Sequence, residues 1–84
     1  MNVFQIYAVH DQKAEAFLTP FFMPNDQTAK RGFSDAINNP STEFGKHPAD
    51  YTLFHIGTYS AVSGTITPAD PRSVGNGVEF VIQE

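Results

Sequence analysis

Apolar positions fall into dense runs with different periods, separated by polar or proline-rich stretches. Val3, Phe4, Ile6, Tyr7 and Val9 are β-branched or aromatic, with Gln5 the only polar residue among them. This composition predicts a strand over 3–9. His10, Asp11, Gln12 and Lys13 then make a polar break of hairpin-loop length. The next run, Ala14 to Phe22, alternates and then turns aromatic at Phe17, Phe21 and Phe22. It pairs with the first as a hairpin. Pro20 lacks an amide donor, which places it on a sheet edge or at a strand end.

The period then changes to that of a helix. Asn25 can cap the first free amides, and Asp26 stands where the helix dipole favours a negative charge. Ala29, Phe33, Ala36 and Ile37 recur at helical spacing and form one apolar stripe. Gly32 weakens the helix by about 1 kcal/mol relative to alanine, and its small size suggests a close approach to the sheet. Asn38-Asn39-Pro40 ends it, because the residue before a proline disfavours helical backbone.

Ser41 to Asp50 has no apolar period and reads as a loop, with Phe44 as a candidate anchor into the core. Tyr51 to Tyr59 is the second strong strand. By strict alternation Tyr51, Leu53, His55 and Tyr59 share one face, with Phe54 and Ile56 on the other. Ser63-Gly64 marks a turn, and Thr65-Ile66-Thr67 is a short return strand. Pro68 to Gly77 is predicted to be irregular, and Val78 to Ile82 to be a last strand. The fold class is therefore α+β: a small antiparallel β-sheet of about four to five strands, in the order β-β-α-β-β-β, with one α-helix packed on one face. Residues 1–84 read as a single domain, with no linker or internal repeat.

Composition sharpens this picture at three points. A chain of 84 residues buries only roughly 60 to 65% of the surface its unfolded form exposes. Cysteine is absent, so neither disulfides nor thiolate metal sites can supplement a thin core. Eight phenylalanines and three tyrosines offer more aromatic area than so small a core readily takes up. Together these features point to a homodimer or higher homo-oligomer. The net charge of −4 argues against bulk electrostatic binding of duplex DNA. No signal peptide or membrane span is legible.

Catalytic chemistry finds little support. His10, His47 and His55 lack the spacing of metal-ligand pairs, and no serine stands in a nucleophile-elbow pattern. Asp26, Asp35 and Glu43 fall on a cap, a helix face and a loop, and Gly75-Asn76-Gly77 reads as a turn rather than a phosphate loop. The expectation is a non-enzymatic protein without metal or cofactor. The better candidate is a nucleic-acid-binding surface. Lys30 and Arg31 are adjacent on the helix and off its apolar stripe, and Lys46-His47 lies in the following loop. If that loop folds back beside the helix, the four make a positive patch. Tyr51, His55 and Tyr59 are candidate stacking residues for single-stranded bases. Core packing or a subunit interface accounts for these aromatics equally well.

The residues also resemble a known family. Pro20-Phe21-Phe22-Met23-Pro24-Asn25-Asp26, followed by Ala29, Arg31, Phe33, Asp35 and Asn38, is similar to its first motif. Lys46-His47-Pro48-Ala49-Asp50-Tyr51, followed by Leu53-Phe54 and Ile56-Gly57, is similar to its second. Over about Val3 to Tyr59 the chain resembles the small nonstructural protein of gokushovirus-type Microviridae, single-stranded DNA bacteriophages. Ser60 departs from the acidic residue of that pattern. The resemblance implies an accessory protein in the host bacterial cytoplasm that supports genome synthesis or packaging through single-stranded DNA. The alternative is a protein-interaction module that modulates host replication or phage assembly, through a host or phage replication protein, without touching DNA.

Overall fold

The computed structural model describes residues 2–82. Its element order is β1 (Val3–Asp11), β2 (Ala16–Phe17), β3 (Phe21–Met23), α1 (Asp26–Ile37), α2 (Glu43–Lys46), β4 (Tyr51–Ser60) and β5 (Thr65–Asn76). Single 3₁₀ turns follow α2 (Pro48–Asp50) and β5 (Gly77–Phe80). The sheet is antiparallel throughout, in the order β2-β1-β4-β5, and β3 pairs with β1 further along the edge that β2 occupies. The α+β class and the single main helix are as the sequence predicts.

Local chemistry explains the elements. The predicted second strand divides into β2 and β3 around Thr19 and Pro20, although the Leu18 amide still bonds to the Val9 carbonyl at 2.8 Å. Pro20, without an N–H, sits in the gap. Asn25 caps α1, its side chain accepting from the Thr28 amide at 2.9 Å and the Thr28 hydroxyl at 3.0 Å. Ala29, Phe33 and Ile37 are buried, and they pack with Tyr7, Val9, Tyr51 and Leu53 as the core. Phe44 joins that core from α2 as an anchor. Gly32 does not serve a close approach to the sheet, because a Cβ there would meet only the flexible end of Met23 at 3.8 Å.

Three further expectations are corrected. First, Pro68 to Asn76 is strand, not irregular chain. β5 lies at the sheet edge, where the missing N–H of a proline is tolerated, and register shifts beside Phe54 and between His55 and Gly57 absorb the extra residues. Gly57 permits this, since a Cβ there would lie 2.6 Å from the Thr67 carbonyl oxygen. Second, Val78 to Ile82 is not a strand. Asn76 and Glu79 form a capping box, with the Val78 amide donating to Asn76 Oδ1 at 3.0 Å and the Asn76 amide to Glu79 Oε2 at 2.8 Å. The chain winds into a 3₁₀ turn instead. Asn38 then takes the place of a neighbouring strand, its amide donating to the Phe80 carbonyl at 2.9 Å and its oxygen accepting from the Ile82 amide at 2.9 Å. The strand order is accordingly β-β-β-α-β-β. Third, Tyr59 does not share a face with Tyr51 and His55. Tyr7 pairs with His55, whereas Ile6 pairs with Gly57 and Phe4 with Tyr59. The bulge at Ile56 shifts the alternation by one residue and inverts every side chain beyond it.

Candidate functional site

α1 is amphipathic, and its outward side carries the cations. Lys30 and Arg31 are exposed, and with Gln27, Thr28, Ser34 and Phe80 they line an open depression of about 400 Å³. Phe80 is brought there by the 3₁₀ turn after β5, where its ring meets Phe33 edge-on at 5.4 Å. An ammonium, a guanidinium, an amide and two hydroxyls thus border an aromatic ring. The ammonium, guanidinium, amide and Ser34 hydroxyl can donate to an anionic oxygen, whereas the Thr28 hydroxyl already gives its proton to Asn25 Oδ1. Neither Lys30 nor Arg31 is paired with a carboxylate among the described residues, whereas Lys46 pairs with Glu43 at 3.6 Å and Arg72 with Asp26 at 3.2 Å.

The remaining predicted residues are dispersed. Phe44 holds α2 on the flank of α1 that carries Gly32 and Ala36, beside a smaller hollow of about 230 Å³. Lys46 and His47 are exposed, and neither lines the depression bordered by Lys30 and Arg31. Tyr51 is buried in the core, its ring edge-on to Phe44 at 4.6 Å, and has no open face for a base. Burial holds its hydroxyl above the ordinary tyrosine range. His55 is half-buried on the helix side of the sheet, with Nε2 2.8 Å from Gln5 Oε1. Tyr59 lies on the opposite side of the sheet, edge-on to Phe22 at 5.6 Å.

Two features were not legible in the sequence reading. One is a polar cluster around Tyr7, whose ring is fully buried. Its hydroxyl donates to Asp26 Oδ1 at 2.5 Å, and Arg72 Nη2 donates to the same oxygen at 3.3 Å. The side chains of Arg72 and Asp26 are 54% and 39% exposed, so water screens the pair. The hydrogen bond from Tyr7 and then that from Arg72 hold the Asp26 carboxyl below its ordinary value. Burial and the neighbouring carboxylate push the Tyr7 hydroxyl well above the ordinary tyrosine range. The cluster joins β1, the first turn of α1 and the edge strand β5.

The other is the sheet face that no helix covers. The register places Phe4, Phe17, Phe22, Phe54, Tyr59 and Ile66 on it, around buried Ile6 and Ala8. Phe17 meets His10 and Phe54 edge-on at 4.9 and 5.5 Å. No paired residue on this face is Lys, Arg, Asp or Glu.

Fold and surface together define a two-layer α+β protein with a cationic helix flank on one side and, on the other, an aromatic sheet face whose paired positions carry no Lys, Arg, Asp or Glu. Residues 4–80 match the family model described as Phage ORF5 protein. The chain belongs to that family, and it is a phage protein. No curated protein and no solved structure matches it in the same comparisons.

Proposed function

We propose that this protein is a non-enzymatic phage accessory factor that binds single-stranded DNA through the flank of α1 and supports genome synthesis or packaging in the host bacterial cytoplasm. The observation that carries the reading is the depression in which Lys30 and Arg31, without a carboxylate partner among the described residues, stand beside Thr28, Gln27, Ser34 and the ring of Phe80. Cations and hydroxyls suit phosphate oxygens, and the ring suits a sugar or base. The site spans one or two nucleotides rather than a duplex face, which agrees with the acidic balance of the whole chain. The resemblance to the small nonstructural protein of gokushovirus-type Microviridae supplies the biological setting.

A fluorescence-anisotropy titration against a labelled oligothymidylate across a salt series tests this. Two neutralised phosphates of a single strand give a slope of about −1.4 in log affinity against log salt. Lys30→Ala and Arg31→Ala should each reduce that slope by about 0.7, while Lys46→Ala should leave it unchanged. No binding at low salt would refute the reading. One observation favours a second reading, a module that docks a replication protein without DNA: the aromatic sheet face carries no Lys or Arg at its paired positions. A pull-down that recovers such a protein after nuclease treatment supports it.

A further inference from the structure

The sheet has two faces and a single helix layer. On the bare face Phe17, Phe22 and Ile66 are 46%, 48% and 60% exposed, and they adjoin half-buried Phe4, Phe54 and Tyr59. We propose that this face packs, sheet on sheet, against the same face of a second copy of the chain.

Charge selects the occupant. The paired positions of the face carry no Lys, Arg, Asp or Glu. Nucleic acid would find no Lys or Arg at these positions for its phosphates, His10 being the one basic side chain among them, and a strongly acidic or basic protein surface would find little counter-charge. An identical, predominantly aromatic face meets neither penalty, and a two-fold contact sets each patch against itself.

The edges exclude the other common route to self-association. β5 carries Pro68 and Pro71, with a register shift between the Gly57–Pro68 and His55–Arg72 pairs, and the opposite edge is broken between β2 and β3 at Thr19 and Pro20. Interrupted, proline-bearing edges disfavour strand-to-strand addition, so apolar contact has to be made through the face.

The size is sufficient. The protein measures 43 × 27 × 19 Å, and the shortest dimension is that of a sheet and one helix layer. The broad side can supply the roughly 800 Å² per partner of a standard interface. Packed sheets lie about 10 Å apart, with side chains interdigitating, and the edge-on pair Phe22–Tyr59 stands among the rings this face would present. Both α1 helices, with Lys30 and Arg31, then point outward from the dimer. The inference does not depend on the DNA reading.

Light scattering on the full chain at micromolar concentration tests it. The expected mass is twice the 9.3 kDa of one chain. Phe22→Asp and Ile66→Asp should each return the single-chain mass with an unchanged far-UV circular dichroism spectrum, while Lys30→Ala should leave the dimer intact. Ile66 is on the edge strand and more exposed than Phe22, so it reports the interface even where Phe22→Asp disturbs the fold. A wild-type mass of 9.3 kDa, or a dimer that survives Ile66→Asp and a folded Phe22→Asp, overturns the proposal. A monomer in which Phe22→Asp, and not Lys30→Ala, abolishes oligonucleotide binding also overturns it and gives the face to DNA.

Discussion

Tyr7 shows how one residue ties three elements together. Its ring is buried among core side chains while its hydroxyl reaches the carboxylate at the start of α1. Tyr7→Phe removes a hydrogen bond to a charged acceptor, of a class worth about 1.5 to 3 kcal/mol. Because water can reach Asp26, the cost should fall at about 1 kcal/mol, measured by urea unfolding. The pH dependence has two limbs. The raised Tyr7 value means that its contribution is whole below about pH 10, the ordinary tyrosine range, and is lost as pH climbs toward the higher folded-state value. The lowered Asp26 value means that its contribution is whole above about pH 4 and is lost as pH falls through the folded-state value. Urea unfolding should therefore show Tyr7→Phe less sensitive to alkali than the wild type. Arg72→Ala should cost a few tenths of a kcal/mol at neutral pH, as exposed pairs do, and converge on the wild type once Asp26 is protonated. None of this cluster was legible from spacing, because Arg72 and Asp26 lie 46 positions apart and meet only when β5 completes the sheet. Lys30 and Arg31 were legible because they need only the helix that contains them. Phe80, assigned to a last strand over Val78 to Ile82, was not placed beside them.

Elements whose signals are local follow the sequence closely. α1 begins at its asparagine cap and ends at Asn38-Asn39-Pro40, with the apolar stripe inward. Elements whose state depends on a neighbour do not. The prolines of β5 read as irregular until the strand is known to lie at an edge, and the Ile56 bulge is a property of pairing that no single strand displays. The turn after β5 lies between these cases. Asn76 three residues before Glu79 is a legible capping pattern, but the alternation of Val78, Phe80 and Ile82 competes with it. Packing decides there. Gly77 is buried, and a Cβ on it would lie 2.2 Å from the Pro48 carbonyl oxygen and 2.6 Å from Ile37 Cδ1. Gly77→Ala should therefore destabilise by about 1 to 3 kcal/mol through overpacking. Calorimetry would register a melting point lower by about 4 to 8 °C per kcal/mol. An unchanged melting point would show that the turn can lift away from the helix.

Across the whole molecule, charge and aromatic area are segregated. One helix covers one sheet face, and the cations without carboxylate partners on that helix face away from the sheet. The aromatic surplus of the composition is collected on the other face. Family membership establishes a phage protein, and this segregation is what motivates the division of labour proposed for it: nucleic acid at the α1 flank, a second copy at the bare sheet. The most direct test is a nuclear magnetic resonance titration of the isotopically labelled chain with a short oligothymidylate, read residue by residue. The account predicts salt-sensitive shifts confined to the neighbourhood of Gln27, Thr28, Lys30, Arg31, Ser34 and Phe80, with Phe17, Phe22, Tyr59 and Ile66 unmoved. Shifts centred on those four residues, or none anywhere at low salt, would contradict it.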